Sequence, residues 1–218
     1  MPGFRVAIVP VTAFQQNCTV LFEEDSRQAV VFDPGGDADR IIELLSRQRL
    51  DVQRILLTHG HLDHAGGAAA LRDALNETHK PPVEIWGPDA RDHFLLEKIE
   101  AQQAALGLTG MGNVTPDRFL ADGDAVEFGP LRFDVVHCPG HTPGSVVYVE
   151  KTARLAIVGD VLFRGSVGRS DFPYGDGAAL IEGIKTKLLP LGDDIAFICG
   201  HGQGSTFGEE RRDNPFLQ

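Results

Sequence analysis

Thr58-His59-Gly60-His61-Leu62-Asp63-His64 places three imidazoles and one carboxylate within six positions. Both groups are ligands that Zn, Fe, Mn and related ions accept. The apolar run Ile55-Leu56-Leu57 comes just before, and an Ala-rich segment from about Ala65 to Leu75 comes just after. The cluster therefore reads as a loop at the C-terminal end of a strand, leading into a helix. In an extended stretch His59 and His61 point to the same side, whereas the adjacent Asp63 and His64 diverge. One ion could hardly use all four, but two neighbouring ions could share them. Solvated histidines at a polar helix entry are the plainer reading, and the ligand density on so short a loop argues against it.

Three further segments repeat this placement, a short apolar strand followed by Gly and a ligand-type residue. His137-Cys138-Pro139-Gly140-His141-Thr142-Pro143-Gly144 follows Val135-Val136, Gly159-Asp160 follows Leu155-Ala156-Ile157-Val158, and Gly200-His201-Gly202 follows Ile195 to Cys199. Singly each is weak, since an Asp after a strand is usually a turn residue or helix cap. Together they gather ligands at strand ends, where loops on a rigid sheet commonly build a site. Glycine beside each ligand lets the backbone come close.

Around these segments, strands are expected at Val6–Val9, Cys18–Phe22 and Ala29–Phe32, the last ending in the Asp33-Pro34-Gly35-Gly36 turn. Asp37 is expected to cap a helix carrying Ile41, Ile42, Leu44 and Leu45. A strand at Val83–Trp86 precedes a longer helix opened by Pro88 and running to about Leu106. The second half reads as a hairpin, Ala125–Phe128 and Leu131–Val136, then strands Val146–Val149 and Leu155–Val158. A helix from about Ala178 to Leu189 leads to a last strand, Ile195–Cys199. No repeat and no linker divides the chain, so residues 1–218 are expected to form one mixed α/β domain.

The 218 residues carry a formal net charge of −11, which argues against a nucleic-acid or anionic-membrane binder. No stretch approaches the roughly 20 apolar residues needed to cross a bilayer. Cys18, Cys138 and Cys199 form no C-x-x-C pair, and no charged leader with a cleavage site opens the chain. A soluble cytoplasmic protein in a reducing compartment is expected.

His59-x-His61-x-Asp63-His64, followed by His141, Asp160 and His201, resembles the full ligand set of the metallo-β-lactamase-fold hydrolases, and the likeness extends over essentially the whole chain. The resemblance implies an αββα four-layer sandwich with the site along one edge. It implies that His59, His61 and His141 hold one divalent metal, that Asp63, His64 and His201 hold a second, and that Asp160 bridges them. His64 and His141, with no Cys ligand at the matching motif positions, do not resemble the classical zinc β-lactamase branch. Phe163-Arg164-Gly165-Ser166-Val167-Gly168-Arg169-Ser170-Asp171-Phe172 and Glu210 to Leu217 are similar to the short bacterial form of the glyoxalase II-like hydroxyacylglutathione hydrolases, which lacks the C-terminal helical domain. Full-length glyoxalase II has Gly-Lys-Phe-Tyr where Gly168-Arg169-Ser170-Asp171 stands here. Arg169 keeps a cation for the substrate, and the tyrosine contact is gone.

The resemblance implies a thioester hydrolase acting on a small molecule such as S-lactoylglutathione. A metal-bound hydroxide attacks the carbonyl, Asp160 bridges the ions and Asp63 helps orient the nucleophile. Zinc is the first expectation for the two ions, with iron or manganese as alternatives. The main rival is a persulfide dioxygenase, which has a similar Gly-Arg-Thr-Asp-Phe segment and a single Fe(II) on the equivalents of His59, His141 and Asp160. A lactonase is a further alternative within the fold. His137 is expected to be structural, His79 and His93 solvated, and Cys138 and Cys199 small buried hydrophobes.

Overall fold

The computed structural model describes residues 3–78 and 80–218, so the expectation for His79 lies outside the described residues. The chain forms two compact units: residues up to Gly87 with His93–Phe119, and Pro88–Asp92 with Leu120–Gln218.

In the first unit, β1 (Phe4–Val11), β2 (Gln16–Glu23) and β3 (Gln28–Phe32) pair antiparallel. Helix α1 (Ala38–Gln48) then crosses to β4 (Asp51–Leu56), which lies parallel to β3. The short α2 (Leu62–Ala65) and α3 (Ala68–Asn76) make the next crossover to β5 (Glu84–Trp86), parallel to β4. Parallel neighbours need such crossovers. Ile41 and Leu45 of α1 and Ala68 and Leu71 of α3 pack with Val20, Val31, Ile55 and Ile85 in one core. Helices α4 (His93–Leu96) and α5 (Ile99–Ala105) add Leu96 and Ile99 to it. Because β3 and β4 run in parallel, their C-terminal ends share one edge, which carries Asp33 and the loop from Thr58.

Three expectations change here. Asp37 stands at the N-terminus of α1 but makes no capping bond: it has φ 46°, and its Oδ2 accepts from the Thr12 amide at 2.7 Å. The carboxylate spans 25 residues to hold the β1–β2 turn. The helix expected over 88–106 is broken into a 3₁₀ turn at Ala90–Asp92, α4 and α5. The buried Asp92 carboxylate there is taken up by Thr142 and Gly144. The helix expected from Ala65 divides at Gly66-Gly67, where the Gly67 amide turns to the Pro34 carbonyl at 2.9 Å.

In the second unit, β6 (Ala125–Phe128), β7 (Leu131–His137), β8 (Val146–Glu150) and β9 (Leu155–Gly159) run antiparallel in sequence. The hairpin β10 (Leu162–Phe163) and β11 (Ser166–Val167), absent from the sequence expectations, leads to α6 (Gly177–Gly183) and a π-helical turn at Ile184–Leu188. Asp176 caps α6 through the Ala179 amide. Strand β12 (Ala196–Cys199) is parallel to β9, and β13 (Ser205–Thr206) pairs antiparallel before α7 (Phe207–Asp213). Val147, Val149, Ala156, Val158 and Phe197 from the sheet pack with Leu180, Ile184 and Leu188. Strands β7, β9 and β12 run the same way, so their C-terminal ends deliver His141, Asp160 and His201 to one sheet edge.

Gly35 is forced by space: a Cβ there would lie 1.4 Å from the Asp63 carbonyl oxygen, whereas a Cβ at Gly112 would meet only a Glu100 side-chain oxygen at 3.9 Å. Gly35→Ala is expected to cost about 1–3 kcal/mol or more, and Gly112→Ala to be near neutral. Thermal melts of the two variants check this.

Candidate metal centre

The first unit holds four of the expected ligands, and their orientation comes from a residue outside the motif. Asp33 is buried, and its Oδ1 accepts from the Thr58 amide at 2.7 Å. Its Oδ2 accepts from the Thr58 hydroxyl at 2.6 Å and contacts His64 Nδ1 at 2.9 Å. A carboxylate only accepts, so His64 carries its proton on Nδ1 and presents Nε2. The Thr58 hydroxyl, already donating to Asp33, accepts from His59 Nδ1 at 3.0 Å, which likewise turns His59 Nε2 outward as a lone pair. That nitrogen lies 3.1 Å from His61 Nδ1, and the His59 and His64 rings are 4.0 Å apart. Asp63 and His64 do not both lie on the loop as expected. They sit in the first turn of α2, with His61 at its N-cap, and Asp63 Oδ2 is 4.0 Å from His64 Nε2.

The second unit brings its three candidate ligands together. Asp160 Oδ2 lies 3.6 Å from His141 Nε2 and 3.6 Å from His201 Nε2. The Arg169 carbonyl accepts from His141 Nδ1 at 2.8 Å, which leaves Nε2 as that ring's ligand atom. Gly168 permits this approach, since a Cβ there would lie 1.9 Å from the Asp160 carbonyl oxygen. Asp92 pins the turn after His141 through the Thr142 hydroxyl at 2.7 Å and the Gly144 amide at 2.6 Å.

These distances fit a divalent cation. Two nitrogens each about 2.0–2.1 Å from a tetrahedral ion stand about 3.3 Å apart. The 3.1 Å between His59 and His61, and the 3.6 Å from Asp160 to each histidine, bracket that span. Imidazoles oriented by carboxylate, hydroxyl and carbonyl partners are the outer shell that metal-binding histidines ordinarily have.

Other expectations resolve by contact. Arg169 lies at the surface with its guanidinium in a bidentate pair with Asp171, at 2.7 and 3.0 Å, and stacked over Phe172 at 4.3 Å. Its backbone carbonyl, rather than its charge, is what touches a ligand histidine. His137 contacts the Pro143 carbonyl at 2.8 Å, a structural role. His93 is exposed beside Glu97. All three cysteines are buried and form no disulfide. Burial pushes the Cys138 thiol up to about 12. Burial, and then the charge of Asp160, push Cys199 up to about 11. Sequence reading missed Asp33, Thr58 and Asp92. The signal for Asp33 was its place directly after an apolar strand, the same pattern that marked the ligands.

Asp33→Asn leaves the Thr58 and His64 hydrogens with a poorer acceptor, and is expected to weaken metal binding about tenfold to a hundredfold, read by competition with a chelator. The native thiols, neutral and buried, are expected to resist a thiol reagent until the chain is unfolded, when all three react.

The Metallo-beta-lactamase superfamily model matches residues 11–201. The hydroxyacylglutathione hydrolase GloC of Haemophilus influenzae is 45% identical over 98% of this chain and 98% of its own. The crystal structure of BLEG-1 B3 metallo-beta-lactamase aligns at 35% identity with a TM-score of 0.87, over 98% of this chain and 99% of that one. That of TTHA1623 in a di-iron-bound form aligns at 35% identity with a TM-score of 0.84, over 97% and 100%. Ligand-type side chains at the strand ends of each unit, a family match over most of the chain and full-length likeness to solved members agree: the chain belongs to the metallo-beta-lactamase superfamily.

Proposed function

We propose that the protein is a metal-dependent hydrolase that cleaves a glutathione-linked thioester, such as S-lactoylglutathione, with two divalent ions per chain. The observation that carries this reading is the pair of pre-oriented ligand sets. Asp33 and Thr58 turn His64 and His59 in one, and the Arg169 carbonyl turns His141 beside Asp160 and His201 in the other. We assign His59, His61 and His141 to one ion, Asp63, His64 and His201 to the second, and Asp160 to both, and we take the chain as one catalytic domain. Two ions so held would supply a water acidic enough to ionise near neutrality and a Lewis acid for a carbonyl oxygen. Full-length similarity to the Haemophilus influenzae hydroxyacylglutathione hydrolase supports the thioester as substrate.

The chain's own residues then have defined tasks. His59, His64 and His141 each spend one ring proton on a fixed acceptor, which leaves Nε2 of each to hold an ion rather than to pass a proton. Asp63, beside His64, orients the attacking water, and Asp160 acts from between the two histidines of its unit. A thiolate departs without protonation, which suits a site whose polar side chains are nearly all ligands. Arg169 is a substrate-facing cation already partly neutralised by Asp171. Zinc is the first assignment for the ions, and the di-iron-bound TTHA1623 supports iron as the alternative. No helix among the described residues is long and apolar enough to cross a membrane. We place the protein in the reducing cytoplasm, in keeping with three thiols that form no disulfide.

The test pairs metal analysis with assays on one preparation: hydrolysis of S-lactoylglutathione, O₂ uptake with glutathione persulfide, and opening of a β-lactam. Thioester turnover at two metals per chain without O₂ uptake is expected, and His59→Ala and Asp160→Ala are expected to lose metal and turnover together. O₂ uptake at one iron per chain, or full thioester turnover after metal removal, contradicts the assignment.

A further inference from the structure

In the second unit Phe163, Arg164, His201, Gly202 and Gln203 line an open cavity of about 420 Å³. Its arginine is placed unlike the other arginines of that unit. Arg91, Arg132, Arg154, Arg169, Arg211 and Arg212 each have a carboxylate oxygen within 4.0 Å. Arg164 has none among the described residues. Its Nη1 instead donates to the neutral Gln203 side-chain carbonyl at 2.9 Å.

The arrangement is held from behind. Arg164 stands at the tip of the β10–β11 hairpin, beside Gly165 at φ 69°. The buried Glu210 of α7 accepts from the Gly165 amide at 2.8 Å and from Asn214 Nδ2 at 2.9 Å, and the same Asn214 amide donates to the Ser166 carbonyl at 2.9 Å. The hairpin is thus tied to α7 at two consecutive residues. Across the cavity, the Cys199 thiol donates to the His201 carbonyl at 3.1 Å and the Gln203 carbonyl at 3.4 Å, fixing the turn that carries Gln203. Phe163 lies with its ring 6.4 Å from that of His201.

We propose that Arg164, steadied by Gln203, is the carboxylate-recognition point of an anionic thiol carrier, seated in the cavity that begins at His201. A guanidinium has five donors, and the bond to Gln203 uses one, which leaves a fork for a carboxylate. The amide nitrogen of Gln203 offers a further donor on the same side chain. The apolar edge of Phe163 suits the carrier's methylene groups. Arg169 is the weaker candidate, because Asp171 already occupies its fork. The inference rests on the thioesterase reading for its substrate, but the recognition chemistry is independent of turnover.

Its test compares wild type, Arg164→Met and Arg164→Lys on S-lactoylglutathione and on the uncharged S-lactoyl-N-acetylcysteamine, with calorimetric binding of the inert S-methylglutathione. Arg164→Met is expected to raise KM for S-lactoylglutathione about tenfold to a hundredfold, with kcat changed less than about twofold. KM for the uncharged thioester is expected to stay unchanged, S-methylglutathione binding to weaken by the same factor, and Arg164→Lys to recover part of both. Added salt is expected to weaken S-methylglutathione binding in wild type more than in Arg164→Met. A wild type that binds S-methylglutathione through Arg164 but hydrolyses neither thioester sinks the hydrolase reading and keeps the subsite. Equal effects of Arg164→Met on both thioesters, or S-methylglutathione binding that is absent or independent of Arg164, overturns the subsite and leaves the hydrolase standing.

Discussion

The Asp33 carboxylate organises the candidate ligands of the first unit. It is buried, sits at a residue with φ 49°, and receives three hydrogens: the Thr58 amide, the Thr58 hydroxyl and His64 Nδ1. A buried carboxylate is costly unless fully hydrogen-bonded, so those donors are held where they are as firmly as they hold it. Through the Thr58 hydroxyl the constraint passes to His59, and directly it reaches His64. Two ligand rings thereby have their tautomer and direction set by one side chain at the end of β3. The parallel pairing of β3 with β4 puts that side chain next to the loop from Thr58.

The second unit reaches the same end by other means. A main-chain carbonyl, that of Arg169, does for His141 what Asp33 does for His64. Glycine allows the approach in both units: Gly35 against the Asp63 carbonyl and Gly168 against that of Asp160. Asp92 and Glu210 are buried acids that receive backbone amides and side-chain donors at the turns flanking the ligands. Rigidity of this kind would matter to a bound ion, because side chains left to relax would lose the orientation needed to hold it.

The candidate ligands were legible in the sequence because their chemistry lies in residue type and because strand ends repeat one local pattern. His59, His61, Asp63 and His64 announce themselves within six positions, and Asp160 and His201 follow apolar runs. What was not legible depends on partners far along the chain. Asp37 looks like a helix cap and holds Thr12 instead, and Asp33 looks like a turn residue and orients two histidines. The helix after Pro88 breaks because Asp92 answers to Thr142 and Gly144, which no periodicity reveals. Arg164 and Arg169 are alike as letters, and only the presence of Asp171 beside one and Gln203 beside the other separates them.

We propose that two ions share Asp160, with one set of histidines oriented through Asp33 and the other through the Arg169 carbonyl. Anomalous diffraction from metal-loaded crystals tests it most directly. Two peaks about 3.5–4 Å apart are predicted, one against His59 and His61 and one against His64 and His201, with Asp160 in contact with both. A single peak on His59, His141 and Asp160, with His64 and His201 bare, would contradict the binuclear claim and favour one-iron chemistry.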